Sequence, residues 1–304
     1  MKIAVISRQG LGDGLLMMIC AYHFKKANAD VTFYHRLFHE LSHFFPGYEF
    51  KDLSVEENFS SFDLILLEYY KSPHVDRIIA NRKNLNLHVL YPTLKKKDRQ
   101  ILTENDLIFD GKKSLAENLV IALEKILHKS NLEKTNGMVF PKNIQYQKFK
   151  KRVILQPTST DKFKNWRKKR FLKLYHMLEK KGLEPCLCLA PHEKIEWEQH
   201  NLKIFAAKDF HELASFIYES RCLIGNDSGP AHLASNLNIP SIVLASNART
   251  MRLWKPDFFS NYLITASSFI PNFSFFRIRN KYWSYFISVS RVLKKFNCLI
   301  TEKP

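Results

Sequence analysis

Short apolar runs alternate with amphipathic stretches along most of the chain. Residues 3–7 read as a strand, a glycine-rich turn follows, and an apolar helix over 15–28 leads to a second strand over 31–34. The runs 63–67 and 87–91 continue the alternation, and 112–129 set Leu115, Leu119, Ala122, Leu123 and Leu127 on one helical face. A polar, lysine-rich stretch, 131–151, interrupts the pattern. The second half restarts it, with strands over 153–156, 185–189, 202–206, 222–224 and 241–244. Helices fall over 168–181 and 210–219, and another is opened by Pro230. Strands separated by helices predict parallel sheets, hence an α/β fold in two successive Rossmann-like halves. The halves are placed at 1–148 and 149–279. A closing helix at about 280–296 carries Tyr282, Phe286, Val289 and Leu293 at three- and four-residue spacing.

Glycine placement sharpens this picture. Three of only nine glycines stand in Gly10-Leu11-Gly12-Asp13-Gly14, so the backbone there is expected to pass close to something or to take positive φ. Leu15 occupies the position where the dinucleotide fingerprint needs its third glycine, which argues against a nicotinamide or flavin site. A second turn, Gly225-Asn226-Asp227-Ser228-Gly229-Pro230, joins a strand to a helix with His232 just inside it. Free N–H groups at such a helix start suit an anion, although a plain capped crossover has the same outline. Between the two lies 157–166, Pro-Thr-Ser-Thr-Asp-Lys-Phe-Lys-Asn-Trp, rich in hydroxyls and ammonium groups. It reads either as a diphosphate-binding loop or as a solvated one. All three turns follow strands, and ligands of open parallel sheets sit beyond the carboxyl ends of the strands.

The motifs resemble glycosyltransferase family 9, the ADP-heptose:lipopolysaccharide heptosyltransferases. Gly12-Asp-Gly-Leu-Leu16 is similar to the family's G-D-x-L-L, although Ile19 stands where a proline is usual. The loop 157–166 resembles T-T-x-x-x-K-x-W, and the string from Asp227 to Ala234 resembles D-S-G-P-x-H-x-A. The resemblance implies the glycosyltransferase B architecture, two Rossmann-like domains facing across a cleft, with segment 280–304 packing back on the first domain. It further implies an inverting transferase in which Asp13 is the base on the acceptor hydroxyl and Lys164 meets the donor's diphosphate. Gly12, Ser159, Thr160, Glu193, Asp227, Ser228, Gly229 and His232 are then donor-binding, Glu193 at the ribose. For Asp13 the alternative is a helix cap, and for Trp166 core packing is expected. A transferase for another nucleotide sugar, or an epimerase of the same architecture, uses much of the same equipment.

Charge and cysteines add context. The chain carries 47 Lys and Arg against 29 Asp and Glu, a net +18 that predicts an acidic partner. The expected partners are a nucleotide-sugar donor, an anionic lipid-linked saccharide acceptor and an anionic membrane surface. Lys95 to Lys97, Phe273, Phe275, Phe276, Arg277, Arg279, Lys281, Tyr282 and Trp283 supply bases with aromatics for the last of these. Nucleic-acid binding is the non-enzymatic rival, but no recognised module for it occurs. No D-x-D pair and no cofactor fingerprint is present, so neither metal nor cofactor is expected. His35, His39 and His43 recur at helical spacing without carboxylates to complete a metal set. Five cysteines without C-x-x-C, and no run long enough to span a bilayer, point to a cytoplasmic protein, peripheral at the inner membrane.

Overall fold

The computed structural model describes residues 1–54, 56–94, 102–140, 142–259, 261–267, 269–270 and 278–301. The chain divides into two compact units, Met1–Pro141 and Lys142–Pro304. In the first, β1 (Lys2–Ile6), β2 (Asp30–Tyr34), β3 (Glu49–Lys51), β4 (Leu64–Glu68), β5 (Leu87–Tyr91) and β6 (Leu107–Ile108) form one sheet. Its order is β3-β2-β1-β4-β5-β6 and every pairing is parallel. Helix α1 (Leu11–Lys26) packs on this sheet and on α3 (Leu115–Leu127), while α2 (Pro73–Ala80) places Val75 and Ile78 against the opposite face. Side chains alternate along a strand, so Ile65 and Leu67 enter the α2 side and Leu64, Leu66 and Glu68 project to the other.

The second unit repeats the plan. β7 (Phe149–Gln156), β8 (Glu184–Leu189), β9 (Ile204–Ala206), β10 (Ser220–Asn226), β11 (Ser241–Ala245) and β12 (Asn261–Thr265) are parallel in the order β12-β11-β10-β7-β8-β9. Helices α5 (Phe210–Tyr218) and α6 (Gly229–Asn236) pack together and on β10. Helix α7 (Ala248–Trp254) leads towards β12. Each sheet therefore starts at a central strand, winds to one edge, and returns to wind to the other. This is the Rossmann order, and it creates a switch point between β1 and β4 in one unit and between β7 and β10 in the other. The α/β class with two Rossmann-like domains, expected from the sequence, is the one the chain adopts.

Two local features differ from expectation. The first helix begins at Leu11 rather than 15, so Gly12, Asp13 and Gly14 form its first turn instead of a loop. Glycine lowers helix propensity, which hides the start, yet Gly14 N–H already donates to Gly10 O at 2.9 Å. A Cβ on Gly14 would lie 2.4 Å from the Phe38 ring and 2.8 Å from His35, so close approach, not positive φ, requires glycine there. The closing helix is two helices, α8 (Ile278–Phe286) and α9 (Val289–Thr301). Ile287 between them turns its carbonyl to Trp166 Nε1 at 3.0 Å and to Arg170, and Ser288 Oγ accepts Arg291 N–H at 3.2 Å to start α9. For the segment placed by sequence on the first domain, the structure buries Val289, Val292, Leu293 and Phe296 in the second unit's core. There α9 meets α4 (Lys168–Glu179), β11 and β12.

Candidate active site

In the second unit the two central strands end side by side, Gly225 opposite Gln156. A Cβ at position 225 would stand 2.8 Å from Gln156 Cβ and 3.0 Å from its carbonyl oxygen, so glycine lets the ends close up. The loop after β7 and the turn after β10 are then tied across the switch point by their side chains. Ser228 Oγ donates to Gln156 Oε1 at 2.8 Å, and Asn226 Oδ1, fully buried, accepts Trp166 N–H at 2.9 Å. Lys164 Nζ reaches Asp227 Oδ2 at 2.8 Å. The lysine side chain is 48% exposed and the aspartate 12%, so the pair contributes little stability and instead parks an ammonium beside the first turn of α6.

The remaining predicted residues fall into place unevenly. Ser159 Oγ turns inward, 2.8 Å from Asn165 Oδ1 and 2.7 Å from Asp161 O, while Thr160 is exposed on the loop. Glu193 follows β8; its Oε2 accepts Ala190 N–H at 2.9 Å and the Thr158 hydroxyl at 2.8 Å. Thr158 is thus the hydroxyl that joins this glutamate to the β7 loop, a pairing that the sequence alone did not indicate. Gly229 opens α6, and His232 lies buried in its first turn with Nδ1 lacking a partner. Burial lowers the pKa of that imidazole, with Asp227 opposing and Lys164 assisting the shift, so it is neutral at pH 7. Trp166 is 2% exposed and packs edge-on against Phe171, a core residue as expected.

The first unit brings Gly12 and Asp13 to the start of α1, beyond the end of β1. Asp13 folds back over the helix start, its Oδ2 lying 2.5 Å from where a Cβ on Gly10 would stand. His35 is fully engaged here. Its Nδ1 accepts Leu37 N–H at 3.2 Å and its Nε2–H donates to Gly10 O at 3.1 Å, and burial pulls its pKa down to about 4. Both nitrogens being spent, His35 cannot serve a metal, and among the described residues no cluster of three His, Cys, Asp or Glu suits one. A residue that sequence reading missed stands nearby. Glu68 ends β4 at the switch point and is 1% exposed; its Oε2 accepts Arg8 N–H at 3.1 Å and the Ser7 hydroxyl at 3.4 Å. Its pKa is pushed up to about 8, first by burial and then by the charge of Asp13.

Two doubly wound sheets, one carrying a helix-start carboxylate and the other a lysine and an anion-suited helix start, make this an α/β protein of two Rossmann-like units. Residues 115–257, just under half of the chain, match the model of glycosyltransferase family 9 (heptosyltransferase). Residues 115–257 thus carry a glycosyltransferase family 9 domain, in keeping with the motifs. Among solved structures it is similar to Escherichia coli ADP-heptose lipopolysaccharide heptosyltransferase II, at 16% identity and a TM-score of 0.70 over 99% of this chain and 98% of that one. It is also similar to E. coli heptosyltransferase WaaC with ADP, at 12% identity and 0.71 over 98% and 100%. A family 9 glycosyl transferase from Veillonella parvula gives 14% identity and 0.71 over 99% and 98%. No curated protein sequence matches the chain.

Proposed function

We propose that this enzyme moves a heptose from ADP-heptose to the lipopolysaccharide inner core by direct, inverting displacement without a divalent cation. The Lys164–Asp227 pair at the switch point of the second sheet carries the reading, because it sets a cation where a nucleotide diphosphate meets the N–H groups of α6. Ser159, Thr160, Asp227, Ser228, Gly229 and His232 surround the sugar and phosphates, Gly12 offers a helix-start N–H, and Glu193 Oε1 takes the ribose hydroxyls. The acceptor oxygen attacks the anomeric carbon as Asp13 takes its proton. The bond to the diphosphate breaks, and its electron pair departs on the phosphate oxygen, where Lys164 meets the growing charge. The choice of ADP and heptose is supported by the two E. coli structures above, one of them solved with ADP. The first unit is assigned to the acceptor and the second to the donor.

A thermal-shift screen of nucleotide sugars in EDTA tests this reading. ADP-heptose is expected to raise the midpoint, since a ligand at about 100 times its Kd stabilises by roughly 2.7 kcal/mol. UDP- and GDP-sugars should do less. A UDP-sugar that shifts the midpoint while ADP-heptose does not overturns the donor, and binding that appears only when magnesium is restored overturns the metal-free site.

The surplus of positive charge supports contact with an anionic bilayer. Lys95 to Lys97, Phe273, Phe275, Phe276 and Arg277 lie outside the described residues, but α8 exposes Tyr282, Tyr285 and Phe286. Lys281 stands 5.3 Å over the Tyr282 ring and Arg167 3.9 Å over that of Tyr285. Bases beside exposed rings suit a headgroup layer, each base contributing about 1 kcal/mol near anionic lipid. The enzyme is expected to sediment with phosphatidylglycerol-containing vesicles and to be released by salt. The Arg277→Ser, Arg279→Ser, Lys281→Ser variant should lose this binding while keeping activity on a lipid-free acceptor. Equal binding to neutral vesicles sinks the idea.

A further inference from the structure

Glu68 is a carboxyl group for which neither the fold nor the donor site gives a use. It closes an otherwise apolar strand, Leu64-Ile-Leu-Leu-Glu68, whose five residues are all buried. An apolar side chain would fill that place at lower cost, since a buried carboxylate needs compensating partners. Glu68 has them on one oxygen only. Oε2 accepts from Arg8 N–H and the Ser7 hydroxyl, while Oε1 is buried with no hydrogen-bond partner. Strand alternation turns the side chain away from the α2 face, and the parallel pairing of β4 with β1 sets it beside the turn that feeds α1. The groups whose charge it shares are Asp13 and Cys20, seven residues apart on one side of α1, with Arg8 before the helix and Tyr70 beyond the strand. Cys20 is buried and its thiol is driven up by desolvation, so it stays neutral. Asp13, in the first turn of the helix that follows β1, is left as the acid whose charge bears on Glu68.

We propose that Glu68 is the positioning partner of the base: it keeps one proton within the Glu68–Asp13 pair, so that Asp13 is the member that is ionised and able to take up the acceptor's proton. This rests on the reading of Asp13 as the base. Two carboxylates in so dry a place do not ionise together cheaply, and the more buried one retains the proton. The pair then holds one negative charge before transfer and none after the acceptor's proton has arrived on Asp13. Without the proton on Glu68 the resting pair would hold two charges, and Arg8 would be drawn to both. Oε1 is the atom on which the proton belongs, since Oε2 already accepts the Arg8 N–H.

The test is an infrared titration of the whole protein, reading the carbonyl stretch of protonated carboxyl groups. Ordinary carboxyls have lost their protons by about pH 6. A single protonated-acid band is expected to persist above that and to titrate near pH 8. It should be absent in Glu68→Gln and should titrate at lower pH in Asp13→Asn, where the neighbouring charge is gone. Because the folded state holds this proton longer than the unfolded state, stability should fall as pH rises from about 4.5 to about 8. Glu68→Gln, which mimics the protonated acid, should lose that part of the slope. The pH profile of its turnover should lack the parent's change near pH 8. No band above pH 6, or a band that Asp13→Asn leaves in place, overturns the proposal, and neither measurement needs Glu68→Gln to fold. If the bands behave as expected while Asp13→Asn transfers normally, the pair stands and the base assignment fails instead.

Discussion

Asp13→Asn is expected to reduce transfer by about 10³-fold, in kcat and kcat/KM alike, with donor affinity unchanged. Asparagine has nearly the same shape and keeps a side-chain oxygen at the first turn of α1, where Asp13 stands. If Asp13 served only to begin α1, the substitution would therefore be silent, because what it removes is the capacity to accept a proton. Stability should not suffer, since the charge lost is one that opposes the buried Glu68. Steady-state kinetics with calorimetric donor binding checks both halves. Turnover within tenfold of the parent would return Asp13 to the role of a cap.

Lys164→Ala should act on the ground state and the transition state together. In the proposed site its ammonium meets charge already on the diphosphate and charge that grows as the sugar leaves, so we expect donor Kd to rise about 10-fold and kcat to fall about 10²-fold. The loss is deepened by what stays behind. Asp227, 12% exposed in its side chain, would face the diphosphate without its cation and repel it. Lys164→Ala, Asp227→Ala should thus bind donor better than Lys164→Ala alone, a non-additivity expected of groups in contact. Thermal midpoints of all three should lie close together, as a half-exposed ion pair contributes under about 1 kcal/mol. Unchanged donor binding in Lys164→Ala would mean that the loop is merely solvated.

What could be read from the chain were the features written locally. Gly225 to His232 announces its turn by the residues themselves, whereas the glycines at 12 and 14 hid the start of α1; strands as apolar as 3–6 and 241–245 need no context. Elements of two or three residues such as β3 and β6 are too short for periodicity to register, and β9 was read two residues too long. The break at Ile287 was invisible because its cause, Trp166 and Arg170, stands over a hundred residues away. Glu68 was missed for a different reason. A glutamate ending an apolar strand looks like the first residue of a solvated loop, and only the β1–β4 pairing reveals that it is dry. Glu193 was singled out by its likeness to a family glutamate, and its hold on Thr158 required knowing that β7 and β8 are neighbours.

The loop that carries Lys164 is fixed by two indoles whose partners are both main-chain oxygens, Trp166 reaching Ile287 O and Trp283 reaching Phe163 O at 2.8 Å. A carbonyl is offered by every amino acid, so the side chains at 163 and 287 are not read by these contacts. Phe163 itself points to solvent, as do Tyr282, Tyr285 and Phe286. The outer coat of α8 can therefore change its charge and aromatic area while the loop that carries Lys164 keeps its place. Substitution on the outside of α8 is in this way uncoupled from the geometry of the Lys164 loop.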